Sequence, residues 1–253
     1  MRASFGVVLV SLAFGAHSQE YEARSEFTYC TLNEGETLED VIEQSELYGE
    51  FSKKAGTKYL QVVLTPMHAG VSTDYDYVIW GQWPDGQSMY NEWGSYTNEF
   101  WAWMAEQDEP IEMAGTCTGS IAMFNSATAH SRIPWEDRDA WQPHQWADCT
   151  LKDGATLKQI MDTHARHGEL MKAADFEGWG THVFTPYLGF EPDWPHDHVQ
   201  MNQWYTFEHR GKTADSWGAF LDAHPQVVEE SRALASCERN LSFAGRMMFN
   251  NVD

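Results

Sequence analysis

The chain is 253 residues long and carries 38 acidic against 16 basic side chains, a formal net charge of −22 with histidine neutral. A chain this acidic lacks the clustered lysine and arginine that phosphate contacts need, which excludes nucleic acid and anionic membrane surfaces as partners. Its aromatic content of 14%, with 12 tryptophans, is ample material for two compact cores.

In chain order, the first feature is a leader. Met1-Arg2 precedes an apolar stretch from Phe5 to Phe14, and Ala16-His17-Ser18 forms a small-x-small site. The pattern reads as a secretory signal peptide over residues 1–18, too short to span a membrane. No later stretch approaches the roughly 20 apolar residues of a transmembrane helix. The expectation is a secreted or periplasmic protein without membrane insertion after leader removal.

Glu26 to Leu32 then reads as a strand. Thr37 offers an N-cap with Asp40 three residues on, and the helix that follows places Leu38, Val41, Ile42, Tyr48 and Phe51 on one stripe. Lys58 to Thr65 and Asp76 to Trp83 read as strands, stopped by Pro66 and by Pro84-Asp85-Gly86. A second helix carries Trp93, Tyr96, Phe100 and Trp103 at spacings of three and four, and Thr116 to Asn125 is the last strand of this set.

The same order then returns. Asp148 to Leu151 is a short strand, Thr156 and Gln159 form a capping box for a helix to about Ala174, and Thr181 to Thr185 and Asp197 to Phe207 are the middle strands. A helix from Asp215 is interrupted at His224-Pro225, and Leu241 to Asn250 closes the set. Residues repeat along with elements. Cys30-Thr-Leu becomes Cys149-Thr-Leu, Asp76 becomes Asp197, Gln82-Trp83 becomes Gln203-Trp204, Trp93-Gly94 becomes Trp217-Gly218, and Cys117 becomes Cys237. A period of this length is the size of a small domain and marks a duplication. The boundaries read from it are repeat 1 over 19–125, a linker over 126–146 packed against the domains through its prolines and tryptophans, and repeat 2 over 147–253.

Four cysteines, two per repeat, fit an oxidising compartment. Sequence allows three pairings, and the duplication favours Cys30–Cys117 and Cys149–Cys237, because each ancestral unit is then self-contained. In a split β-α-β sheet these positions also lie at adjacent ends of the first and last strands.

The element order, repeat length and duplication resemble the dimeric α/β-barrel superfamily. The fold class expected is therefore α+β: two tandem ferredoxin-like β-α-β-β-α-β units forming an intramolecular pseudo-dimeric α/β barrel. The superfamily includes monooxygenases, haem-degrading enzymes, chlorite-dismutase-like haem proteins and isomerases, so the resemblance implies monooxygenase-like or related redox chemistry if the chain is catalytic. It fixes no cofactor and no catalytic motif.

Function is sought where the copies differ. Repeat 1 has His68 alone, whereas repeat 2 has His164, His167, His182, His196, His198, His209 and His224, which points to repeat 2 as the functional half. His198, Gln200 and Asn202 alternate along one strand where repeat 1 has Tyr77, Ile79 and Gly81. Read as facing the barrel interior, they supply a candidate acid/base, His198, with Gln200 and Asn202 as orienting groups for a small apolar or aromatic ligand. Trp204, Trp83 and His182 are candidate pocket walls. His182, His196 and His198 are candidate metal ligands by residue type and spacing, and His164 or His167 a candidate haem ligand or general base. The paired Asp76 and Asp197 read as structural devices. The alternative is a non-catalytic secreted interaction or structural protein, and a weaker one a metal- or haem-binding protein. Oligomeric state is left open.

Overall fold

The computed structural model describes residues 23–70, 73–107 and 113–252; the leader expected over residues 1–18 lies outside them. Eight strands form one closed antiparallel barrel in the order β1-β3-β2-β8-β5-β7-β6-β4. The first half supplies β1 (Ala23–Leu32), β2 (Leu60–His68), β3 (Tyr77–Trp83) and β4 (Gly115–Ser131), and the second β5 (Trp141–Leu151), β6 (Trp179–Leu188), β7 (His198–Trp204) and β8 (Ala235–Asn250). Each half is a four-strand run, β4-β1-β3-β2 or β8-β5-β7-β6, and the β2–β8 and β4–β6 seams close the two runs on each other. Closure leaves no free sheet edge.

Strand alternation sorts the residues into two layers. Phe27, Val62, Trp80, Trp146, Phe184 and Met201 point inward and fill the barrel, with Phe27 packed edge-on to Trp146 and Phe184 at 4.8 and 5.1 Å between ring centres. Helices cover the outside. Over the first half lie α1 (Leu38–Ala55) and α2 (Gly86–Ser95), which continues through a π-helical turn, Tyr96–Phe100, into α3 (Trp101–Met104). Over the second half lie α4 (Leu157–Ala173), α5 (Phe207–Ala223) and α6 (Gln226–Leu234).

Local sequence explains these starts. Thr37 with Asp40 and Thr156 with Gln159 form the two expected capping boxes. The α5 helix begins at Phe207 rather than at Asp215, because Thr206 caps it by accepting the backbone N–H of His209; the β7 strand accordingly stops at Trp204. Pro225 then precedes α6, as a proline at a helix start requires. Of the segment 126–146, residues up to Ser131 extend β4 and those from Trp141 open β5.

Asp76 and Asp197 act as the structural pair the repeat suggested. Each carboxylate accepts the backbone N–H of Leu32 or Leu151, while each backbone N–H donates to the carbonyl of Cys30 or Cys149. The disulfides Cys30–Cys117 and Cys149–Cys237 cross-link β1 to β4 and β5 to β8 at paired register positions.

Candidate functional site

The polar trio on β7 does not face the barrel interior. Val199 and Met201 point inward, so His198, Gln200 and Asn202 lie on the outer face, under α4. The expectation of an inward-facing trio is corrected by the intervening residues, which are apolar and belong to the barrel core. His198 is 1% exposed and neither ring nitrogen has a partner; burial pushes it down to about 4. Asn202 accepts a hydrogen bond from Thr181, and His164 of α4 lies against His198 with a hydrogen bond to Gln200. Burial, reinforced by His130, His167 and His198, pushes His164 down to about 3.

The metal set does not assemble. His182 is on the inner face of β6, stacked on Phe184 and hydrogen-bonded to Asn125 at 3.2 Å. His198 is on the outer face, and His196 precedes β7 beside Thr150. One strand face and its opposite cannot meet at one ion, and no group of three or more His, Cys, Asp or Glu side chains suited to a metal occurs among the described residues. Trp83 and Trp204 also lie in the outer layer, Trp83 against Tyr59 and Met89, Trp204 against Met171 and Phe220 with its indole N–H donated to Thr213.

The two outer layers differ in filling. In the second half His130 stacks on Trp179 at 4.1 Å, bonds Thr181, and presses on Gly168 of α4 so closely that no Cβ fits there. His167 is tied to Glu230 at 3.1 Å. These side chains pack between α4 and the sheet, so a haem macrocycle does not fit there without displacing them.

The first half holds a cavity of about 550 Å³ between the outer face of β1, β2 and β3 and the helices α1 and α2 with its π-helical extension. Its walls are Tyr48, Tyr59, Tyr77, Tyr96, Trp93 and Phe100, with Ser45, Gln61, Glu26 and Glu92 as the main polar groups. Tyr96 and Met113 line it and are exposed, marking where it reaches the surface. The π-helical turn brings Tyr96, Thr97 and Phe100 onto the wall, a use typical of such turns; the second half has a regular α5 instead.

Two carboxyls are the cavity's chemical signature. Glu92 is 4% exposed, and burial with the nearby Glu26 raises it to about 8. Glu26 is raised by burial, countered by hydrogen bonds from Ser120 and Trp93, whose indole nitrogen lies 3.3 Å from Oε2. The Gln61 Oε1 atom is buried without a hydrogen-bond partner among the described residues. Among the described residues no histidine, lysine or arginine lines the space. Haem does not fit here either, since its propionates would meet two acids and no cation.

Sequence reasoning looked to the second half, whereas this cavity lies in the first; Tyr77 and Ile79, counterparts of His198 and Gln200, line it, and Gly81 lies behind its wall at Tyr59. The missed residues are Glu26, Glu92, Tyr48, Tyr59 and Tyr96. A signal existed at position 26, where the repeat has Gln145; Glu92, counted from the helix caps Asp85 and Thr206, corresponds to Thr213.

No protein-family model matches the chain, and no curated protein matches it. Solved structures do. A candidate monooxygenase from Lactobacillus acidophilus superposes with a TM-score of 0.53 at 9% identity, covering 89% of this chain and 94% of its own. A chlorite dismutase variant from Candidatus Nitrospira defluvii gives 0.50 at 8%, covering 90% and 93%, and the same enzyme in complex with imidazole gives 0.50 at 9%, covering 90% and 92%. These likenesses concern the fold. By its closed eight-strand barrel and its neighbours, the chain has the dimeric α/β-barrel fold.

Proposed function

We propose that this protein is an exported small-molecule-binding protein that holds an apolar or aromatic ligand in the cavity of its first half. The observation that carries the reading is the cavity itself, about 550 Å³, walled by aromatic rings and furnished with a few buried polar groups, the usual make-up of a ligand site. Two tandem ferredoxin-like units joined as a pseudo-dimer account for the strand order, with the first unit keeping an open outer layer and the second plugging its own with histidines. In this reading His198, Gln200 and Asn202 pack the second layer. The apolar leader and the two disulfides support export to an oxidising compartment. Among the described residues no helix is long and apolar enough to cross a membrane. Oxidation, named for the fold neighbours, enters only as the first assay to run on a captured ligand.

The test is fluorescence titration with N-phenyl-1-naphthylamine, a neutral aromatic probe that brightens in apolar surroundings. One equivalent is expected to bind. Ser45→Trp, which fills the cavity, is expected to abolish binding, and His198→Ala to leave it unchanged. Failure to bind, or binding indifferent to Ser45→Trp, overturns the reading.

A further inference from the structure

The aromatic cavity contains two features that a purely apolar ligand would not use. Glu92 is almost wholly buried, and its side chain lines the space within electrostatic reach of Glu26. The buried Oε1 of Gln61, on the facing strand, has no hydrogen-bond partner among the described residues. Burying polar groups unpaired is costly unless a ligand completes them. Glu26 adds a second carboxyl close enough to act on Glu92 electrostatically. Around both stand the rings of Tyr48, Tyr59, Tyr77, Tyr96 and Trp93. A carboxylate pair within a box of electron-rich rings is complementary to an organic cation, whose charge is attracted by ring faces and acids alike.

We propose that the ligand of this cavity is an organic ammonium compound, its cationic head between Glu26 and Glu92 and its apolar body against the tyrosine and tryptophan rings. The inference rests on the ligand-binding reading above and adds the charge class. It also accounts for the contrast between the halves: at the corresponding positions the second carries Gln145 on β5 and, counted from the helix caps, Thr213 on α5.

Proton linkage gives the proposal a signature. Glu92 is raised to about 8 in the empty cavity, so near neutral pH the cation must displace its proton. The other titratable groups facing it are Glu26 on β1, Tyr59 before β2, Tyr77 on β3, Tyr48 on α1 and Tyr96 on the π-helical turn. The tyrosines at 59, 77 and 96 are raised further by burial and stay neutral, leaving the two acids to set the response.

The experiment compares phenyltrimethylammonium, whose charge is fixed at every pH, with its neutral isostere tert-butylbenzene, by calorimetry and tryptophan fluorescence on the full disulfide-bonded chain. The cation is expected to bind tighter than the isostere by about tenfold or more, and its affinity to rise by roughly tenfold or more between about pH 6 and 8 as Glu92 ionises. Glu92→Gln should lower the cation's affinity toward that of the isostere and flatten its pH profile. Equal affinity for both probes, or a flat pH profile in the unmodified chain, overturns the cation assignment and leaves the ligand-binding reading standing. Binding of neither, together with no response to N-phenyl-1-naphthylamine, overturns both. The pH series needs no variant, so a poorly folding Glu92→Gln does not shield the proposal.

Discussion

Gly81 lies on the outer face of β3 where Asn202 lies on β7, and the ring of Tyr59 crosses it so closely that an added Cβ would stand 2.6 Å from the ring edge and hydroxyl. Tyr59 is held from the other side by Trp83, stacked at 5.0 Å and 27°. The ring is therefore a clamped wall of the cavity, and the missing side chain at position 81 is what lets it sit there. Gly81→Ala is expected to push Tyr59 into the cavity, lower stability by about 1–3 kcal/mol as overpacking does, and weaken N-phenyl-1-naphthylamine binding. Asn202→Ala, at the equivalent place in the other half, should cost about 1 kcal/mol for its lost bond to Thr181 and leave probe binding intact. Denaturant melts and probe titrations of both variants check this; unaltered binding in Gly81→Ala would remove Tyr59 from the wall. Residues such as these were legible only in part. The period-two pattern of His198, Gln200 and Asn202 identified a shared face correctly, but it carried no sign of which side of a closed barrel that face occupies, because both sides are covered.

At the scale of elements, the capping boxes at Thr37 and Thr156, the order of elements along the chain and the cysteine partners were readable because each rests on local chemistry or on the repeat. The π-helical turn at Tyr96–Phe100 was not, since its spacings of three and four are those of an ordinary helix. Nor did the sequence show that β4 runs to Ser131, because its extension pairs with β6 of the other half, a contact no local pattern announces. That pairing, with β2–β8, makes the halves interdependent. Separated, the first half would expose Phe27, Val62 and Trp80, which pack on Trp146, Phe184 and Met201, along with two unpaired strand edges. Residues 19–133 produced alone are therefore expected to persist only by pairing with a second copy. Light scattering coupled to gel filtration should report a dimer or larger species. A folded, dispersed monomer would show that the barrel interior contributes little to the unit.

The whole molecule carries two opposed sets of buried titratable groups, and their balance fixes its response to pH. His130, His144, His164, His182 and His198 are all pushed down by burial, to between about 3 and 4. In the unfolded chain they protonate near pH 6.5, so as pH falls below that value the unfolded state takes up protons that the native state refuses, and stability drops. Glu26 and Glu92 work in reverse: raised by burial, they are stabilising while protonated, and that contribution is lost as pH rises from about 4.5 through the folded value of Glu92 near 8. Between about pH 5 and 6 the five histidines outweigh the two acids, giving a net slope of several kcal/mol per pH unit toward acid unfolding. Above about pH 6.5 the histidine contribution vanishes and the acids alone act, giving a gentler decline of at most about 1–3 kcal/mol per unit up to pH 8. Maximum stability is thus expected near pH 6.5–7, with a steep acid limb and a shallow alkaline one. Denaturant melts across a buffer series test the shape, and Glu92→Gln should flatten the alkaline limb without moving the acid one. A broad plateau extending down to pH 4.5 would mean that the buried histidines are protonated in the native state, and hence that the barrel interior and the second outer layer are wetter than their packing indicates.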